Sequence, residues 1–219
     1  YAQYGLSKRD RIRAGAVLAV RNLAGRLGAV FGVTEFELYV HEANVPDVSI
    51  ELASPPAIMV PAWATSLPTA ELALMLARPL AHIARETHAV MRIPAAELGA
   101  LLEAATHAHV PGYGNGADLE DRSRQVSKAI PRRSRRLVEE AASRYASTTA
   151  PDVPRWVADV ELTAARAALL VCDDIAGAAQ VLGRTRGEKP GGDNTVTHLL
   201  RFWASDTSMR FRRALRQGG

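Results

Sequence analysis

The chain has 219 residues, of which 47% are hydrophobic and 23% are charged, an ordinary balance for a globular protein that buries a core. No apolar run approaches the roughly 20 residues that cross a bilayer, which excludes a membrane-spanning helix. The single cysteine, Cys172, excludes an internal disulfide and any metal site built from several cysteines. The net charge of +4 comes mostly from arginine and is weak evidence for a polyanionic partner.

The sequence begins at Tyr1 rather than at a methionine and shows no signal peptide, which suggests a fragment or a processed chain. We expect a reducing, cytoplasmic location. Cys172 lies in an apolar helical run with no histidine nearby to activate it. We therefore predict a buried structural thiol rather than a nucleophile.

Alanine is abundant and aromatic residues make up only 5%, which favours a mostly helical fold. Residues 7–30 combine a broad apolar face with arginines on the remaining surface, so we predict one long amphipathic helix there. Ser7 is its expected N-cap, and Gly32 is expected to end it.

After Gly32, the spacing of the apolar residues changes from the helical period of 3.6 residues to the strand period of 2. Phe36, Leu38 and Val40 alternate with more polar residues, which predicts a strand with one buried face. Residues 49–52 and 57–60 are the next two predicted strands, separated by a proline pair that cannot lie inside a ladder. We predict a three-stranded β-meander over residues 36–61.

Nearly everything after Pro68 is predicted to be helical. Thr69 is the expected cap of the first of these helices, and Leu72, Met75, Leu76, Leu80 and Ile83 are its expected inner face. Residues 110–117 form a glycine-rich loop without the lysine of a phosphate-binding loop, and residues 185–193 are expected to be a mobile polar loop. Neither a repeat nor a linker is evident, so we predict a single domain over residues 1–219. Its fold class is α+β and predominantly α-helical. The further helices are predicted at residues 95–107, 119–129, 131–145, 153–171, 174–182, 194–205 and 206–215.

Two separate segments carry a recognisable motif order. Residues 76–83 (LARPLAHI) follow two strand-like segments, 38–40 and 57–60, and a short acidic and apolar segment, 71–73. Residues 161–167 (ELTAARA) come later in the chain. This order resembles the core of gluzincin-type zinc peptidases, the group that includes prenyl-protein processing and heat-shock membrane peptidases. The resemblance covers about residues 36–90 and 155–182. It implies a zincin-like helical domain, with a former active-site helix at 68–90 and a former third-ligand helix at 152–182.

In that family, two histidines at i and i+4 on one helix bind zinc, and a glutamate between them is the general base. A later glutamate is the third ligand, and an aspartate supports it. The corresponding positions here, which we call the peptidase-like motif, are Arg78, Pro79, His82, Glu161 and Ala165.

Three positions of the peptidase-like motif differ from the family pattern, and each difference removes a group that hydrolysis needs. Arg78 stands at the first zinc ligand, and a guanidinium that stays protonated cannot bind a cation. Pro79 stands at the general base, and Ala165 replaces the supporting aspartate. Two ligands of three, without a base, predict a domain with no peptidase activity and no metal or other cofactor. Pro79 also removes a backbone donor at a cost of about 3 kcal/mol, so we expect the helix to kink or restart there.

A looser similarity covers the second half of the chain. The runs at residues 130–137, 161–172 and 200–206 resemble inactivated peptidase-like domains at the ends of large helical-repeat proteins of myxobacteria and their relatives. The similarity implies a protein partner, which could be an upstream helical-repeat region of the same polypeptide, and no membrane partner. We therefore predict a non-catalytic, peptidase-derived scaffold or protein-interaction domain within a larger assembly.

Two alternatives stay open. The first is a module that binds nucleic acid or another polyanion through Arg132, Arg133, Arg135 and Arg136, which we call the arginine cluster. A solvated or acid-paired helix face is the simpler interpretation of that cluster, and also of Arg210, Arg212, Arg213 and Arg216, so nucleic acid is not the expected partner. The second is a zinc hydrolase with a rearranged site that uses His82, Glu161 and an unidentified ligand. We expect no metal role for the remaining candidate histidines, which are His41, His88, His107 and His109.

Overall fold

The computed structural model describes residues 2–13, 18–149, 151–187 and 194–217. These residues form two compact units. The first combines the residues up to Arg92 with those from Val160 onwards, and the second extends from Ile93 to Asp159. The division into two compact units does not test whether the chain folds as a single domain, so a single domain over residues 1–219 remains a prediction. The structure is mostly helical with one small sheet, which confirms the predicted α+β class at that level.

The sheet of the first unit consists of β1 (Glu37–His41), β2 (Ser49–Glu51) and β3 (Ala57–Pro61), arranged in the order β1-β3-β2. β1 pairs parallel to β3, with Leu38 opposite Ile58, and β2 pairs antiparallel to β3. The predicted β-meander is therefore wrong, because the chain crosses to the far edge before it returns to the centre. β3 is the most apolar of the three and is buried along its whole length, which suits the central position.

Both faces of this sheet are covered. Leu38, Ile58 and Val60 belong to the main core, whereas Tyr39, Ala57 and Met59 pack against Tyr4 and Leu6 from the start of the chain. The expectation that β1 has only one buried face is therefore wrong, since both Leu38 and Tyr39 are fully buried.

The predicted helix over residues 7–30 is also wrong in its first half. Ser7 does cap, but it caps only a 3₁₀ turn at Lys8–Asp10, in which Asp10 accepts hydrogen bonds from the Ser7 backbone and side chain. The backbone N–H of Ile12 then donates to the Leu38 carbonyl at 2.8 Å, so this segment lies along β1 instead of turning into a helix. Residues 14–17 lie outside the described residues. Helix α1 is Ala19–Phe31 and ends, as predicted, at Gly32 with a positive φ of 70°.

Helix α2 (Thr69–Ala84) carries the first part of the peptidase-like motif. Its predicted inner face is confirmed for Leu72, Met75, Leu76 and Leu80, which are buried in the main core. Pro68 is the N-cap residue and makes no side-chain hydrogen bond, so the predicted capping role of Thr69 is wrong. The helix also continues through Pro79 without the predicted restart.

The other helices of the first unit follow the sequence prediction with small changes. The predicted segment 152–182 is two helices, α6 (Val153–Cys172), whose first residues belong to the second unit, and α7 (Ile175–Arg186). The side chain of Asp174 caps α7 through the Gly177 N–H at 3.0 Å. Because α7 reaches Arg186, the predicted polar loop begins later than Thr185, and its residues 188–193 lie outside the described residues. The last two helices are α8 (Thr195–Trp203) and α9 (Asp206–Gln217).

The second unit contains α3 (Ala95–His107), α4 (Leu119–Ala129) and α5 (Arg135–Ala146), with a 3₁₀ turn at Arg132–Ser134 before α5. Few of its residues are buried, and Leu119, Ala104, Ala142 and Val153 are the apolar ones. None of the described helices in either unit is long and apolar enough to cross a membrane.

Candidate functional site

The peptidase-like motif begins on α2, where Arg78 and His82 are one helical turn apart and therefore share a face. Both residues are buried, with 6% and 3% of their surface exposed. Buried charged and polar groups need partners, so the contacts of these two side chains indicate what the site can do.

Arg78 finds its partner in the turn between β1 and β2. Its Nη1 donates to Oδ2 of Asp47 at 2.8 Å, while the other carboxylate oxygen of Asp47 accepts from the Val48 N–H. The Arg78 side chain is only 7% exposed. The position at which the resemblance expects a metal ligand therefore holds a buried cation that is neutralised from within the chain.

His82 is neutral in this environment. Burial is the main cause that lowers the pKa of His82 to about 4, and the nearby charges of Arg78, His88 and Arg186 lower it further. Its Nδ1 lies 3.1 Å from Oγ1 of Thr87, just beyond the end of α2. This contact gives His82 a structural partner without any metal ion.

Glu161 on α6 also has a partner in the chain. Its Oε2 lies 3.3 Å from Nη1 of Arg186, at the end of α7. Arg186 is close enough to His82 to lower its pKa, so one guanidinium interacts with both His82 and Glu161 of the motif. Arg186 is a site residue that the sequence did not predict, because it lies in a polar stretch with several glycines that is typical of a loop. The only signal for it is its place after an apolar helical segment.

The remaining motif positions carry no chemistry for a metal site. Ala165 is 2% exposed and packs in the main core, and Pro79 lies inside α2. In the described parts of the chain, no three His, Cys, Asp or Glu side chains come together where they could hold a metal ion. His82 lies near the guanidinium groups of Arg78 and Arg186, and Glu161 pairs with Arg186. The motif residues therefore do not fit the zinc ion that the resemblance implies.

Comparison with known proteins gave no relative. No protein-family model matches the chain, and searches of curated proteins and of solved structures found no significant match.

The resemblance to zinc peptidases therefore depends on the residues of this chain alone. Its strongest support is the pair of motifs on α2 and α6, which occur in the family's order and lie in the same compact unit.

Two further histidines of the first unit have buried ring nitrogens without a hydrogen-bond partner among the described residues: His41 is buried, and His88, at Nδ1 only, is partly buried. His41 stacks on Tyr4 with ring centroids 4.1 Å apart, and neither of its ring nitrogens has a partner among the described residues. Burial lowers the pKa of His41 and also that of His88. These features suit neutral rings that fill space in the fold.

In the second unit, His107 joins α3 to the glycine-rich loop at residues 110–117. Its Nδ1 lies 2.6 Å from the Tyr113 carbonyl and its Nε2 lies 3.5 Å from Glu120. The hydrogen bond to Tyr113 is the main cause that raises the pKa of His107. His107 therefore holds the loop in place.

The two groups of arginines differ in their contacts. All four residues of the arginine cluster are exposed, and Arg136 pairs with Glu140 at 3.0 Å within α5. In α9, Arg212 and Arg216 both approach Asp173, at 3.9 and 2.6 Å, and Arg212 lies over the Trp203 ring. Arg212 and Arg216 therefore attach α9 to Asp173 and, through Arg212, to Trp203 of α8.

Cys172 is the last residue of α6, and its Sγ is 3.5 Å from the Leu169 carbonyl. Burial raises the pKa of the Cys172 thiol to about 11, so the thiol is protonated at neutral pH. It therefore lacks the thiolate that a nucleophile needs.

Proposed function

We propose that this chain is a non-catalytic domain, derived from a zinc peptidase, that acts as a scaffold or protein-interaction domain. The proposal starts from the resemblance in motif order between residues 76–83 and 161–167. We extend the resemblance to function because Arg78 and Pro79 stand where the resemblance places a zinc ligand and the general base. Arg78 forms an ion pair with Asp47 instead, and Pro79 lies inside α2.

The observation that carries the proposal is the ion pair between the buried Arg78 and the partly buried Asp47. An arginine stays protonated at all accessible pH values and has no lone pair to offer a metal ion. Because the Arg78 side chain is almost fully buried and pairs with the partly buried Asp47, Arg78 is part of the fold rather than a side chain that moves aside for zinc.

The charges around His82 support the same conclusion. A divalent cation bound to His82 and Glu161 would lie near both Arg78 and Arg186, whose charges already oppose a proton on His82. Two like unit charges 4 Å apart repel by about 4 kcal/mol at an effective dielectric constant of about 20, and a divalent cation experiences more repulsion than a proton. Zinc would also have to displace Arg186 from Glu161.

A zinc titration followed by calorimetry, together with a peptide-hydrolysis assay, tests this proposal. We expect neither stoichiometric zinc binding nor cleavage by the purified protein. A double variant that restores the family pattern, Arg78→His with Pro79→Glu, is the matched comparison, and weak zinc binding by this variant alone would support the ancestry. Tight 1:1 zinc binding by the unchanged protein, lost on His82→Ala and accompanied by cleavage, would overturn the proposal.

Binding of nucleic acid is the second candidate, favoured by the exposed residues Arg132, Arg133 and Arg135, which form no ion pair within the described residues. Against it, residues 93–159 contain nine basic and nine acidic residues, so this unit has no net charge. Binding of duplex DNA or RNA that falls steeply with salt and weakens on Arg132→Ala would favour this candidate. The third candidate, a rearranged zinc hydrolase, lacks a third ligand in the described chain, and metal analysis of the purified protein tests it.

A further inference from the structure

A small cavity in the second unit has two positively charged and two polar side chains in its lining, together with one isoleucine. It lies between the end of α3, the last turn of α4 and the first residue of α5, and its volume is about 310 Å³. This is at the lower end of the range of ligand pockets, which extends from about 300 to 1,000 Å³, so the cavity suits a small group. We call it the cationic pocket, and its lining residues are His109, Ser127, Lys128, Ile130 and Arg135.

The charges in the cationic pocket are not neutralised by the chain. Lys128 and Arg135 contribute an ammonium and a guanidinium group, and no acidic residue lines the cavity. Neither side chain forms an ion pair within the described ranges, in contrast to Arg136, which pairs with Glu140. Two adjacent cations without a carboxylate repel each other, and an anion between them would relieve that repulsion.

His109 adds an unsatisfied polar atom. Its Nε2 is buried and has no hydrogen-bond partner among the described residues. A buried polar atom without a partner is costly, and most such atoms in proteins have one. A ligand oxygen in the cavity would supply it, and Ser127 would add a hydroxyl donor.

We propose that the cationic pocket binds a single phosphoryl group, either as inorganic phosphate or as a phosphomonoester. The guanidinium of Arg135 offers a fork of N–H donors, Lys128 offers a point charge, and both are established partners of phosphate oxygens. An extended polyanion fits less well, because its further charges would meet a unit with as many acidic as basic residues. This inference is independent of the proposed non-catalytic role, which concerns residues of the other unit.

The test is a titration of the isotope-labelled protein with sodium phosphate at constant ionic strength, followed by NMR shifts of the pocket residues. We expect saturable 1:1 binding that shifts His109 and Ser127. Lys128→Gln and Arg135→Gln should each weaken binding about tenfold, as expected for the loss of one charge-assisted hydrogen bond. Arg122→Gln is the matched control, because it removes one exposed charge from α4 outside the pocket and should leave binding unchanged.

A second series identifies the source of the phosphoryl group. Acetyl-phosphoserine amide that binds more tightly than inorganic phosphate would assign a phosphorylated side chain, whereas tighter or equal binding of phosphate would assign the free ion. Absence of saturable phosphate binding would overturn the proposal, as would an equal loss on Arg122→Gln. Binding of a duplex oligonucleotide without phosphate binding, weakened as much by Arg132→Gln as by Arg135→Gln, would replace the pocket with an extended polyanion surface.

Discussion

Arg78 in the peptidase-like motif and Arg135 in the cationic pocket carry the same guanidinium group in different surroundings. Arg78 is buried and paired with Asp47 at 2.8 Å, and Arg186, which also lies close to the motif, is paired with Glu161. Arg135 is exposed, lines a cavity with Lys128 and has no acidic partner in the described structure.

This difference separates two uses of charge. A cation neutralised by its own chain contributes to folding and is closed to ligands, whereas a cation left without a partner keeps its charge available for an anion. Binding should therefore be sought in the second unit, and stability effects should concentrate in the first. Five measurements can break or sharpen that comparison.

The largest expected effect is that of Arg78→Leu. The substitution leaves Asp47, whose side chain is 23% exposed, without its partner. We expect a loss of about 3 kcal/mol, the lower end of the range for a buried ion pair, because water can partly solvate the remaining carboxylate. Urea denaturation followed by circular dichroism measures the free energy of unfolding. The double variant Arg78→Leu with Asp47→Leu should recover part of the loss, because no unpaired charge remains. A loss below about 1 kcal/mol for the single variant would show that the pair behaves like one on the surface.

The pH dependence of stability follows from His82. Its folded pKa of about 4 lies below the unfolded value, so the unfolded state takes up the proton first as the pH falls. Stability contributed by neutral His82 is complete above about pH 6.5 and decreases towards pH 4 by about 3 kcal/mol. Unfolding curves between pH 4 and 8 measure this slope, which His82→Gln should flatten.

His107 provides the control of opposite sign for this measurement. Its pKa is raised in the folded chain, so its contribution is present at low pH and is lost as the pH rises through that pKa. Hydrogen exchange resolved by peptide distinguishes the α2 segment from the loop at residues 110–117. Identical pH slopes in the two segments would contradict the assignment of separate causes.

The reactivity of Cys172 tests whether the folded first unit protects its thiol from thiol reagents. With a pKa of about 11, its thiolate fraction at pH 8 is about a hundredfold below that of an exposed cysteine. Reaction with a thiol reagent such as dithionitrobenzoate should be slower by about that factor in the folded protein than in urea. Similar rates under both conditions would mean that Cys172 is accessible and activated.

The smallest expected effect is that of Arg136→Gln. Arg136 pairs with Glu140 at 3.0 Å on the surface of α5, and both side chains are more than half exposed. Such pairs contribute about 0.5 kcal/mol or less, so the free energy of unfolding should barely change. A loss as large as that of Arg78→Leu would remove the distinction between the two units.

Local sequence signals predicted much of the helical structure. Helices α3 and α4 have the predicted bounds, and Gly32 ends α1 as predicted, because the period of apolar residues and the conformation of a glycine are local properties. The same local signals misled at Ser7, where a capping box closes only one 3₁₀ turn. There the tertiary hydrogen bond from Ile12 to Leu38 competes with helix formation, and no local pattern encodes it.

For the candidate site, the residues on α2 and α6 were named from their order in the chain, but their partners were not. Asp47 lies 31 residues from Arg78 and Arg186 lies 25 residues from Glu161, so no spacing rule connects them. The cationic pocket was only partly foreseen, since Arg135 belonged to the predicted cluster whereas Lys128 and Ser127 did not. Ser127, Lys128, Ile130 and Arg135 are close in the sequence, whereas His109 joins them only through the packing of the second unit.

By itself, the sequence determined the helical class, the apolar face of α2 and the presence of an arginine and a proline at positions 78 and 79 of the peptidase-like motif. These are properties of single residues or of a local period, and they do not depend on what lies opposite. Only the tertiary structure decided the order of the three strands, the neutral state of His82 and which cations are paired. Each of these is set by groups distant in sequence, because burial and Coulomb interaction depend on distance in space.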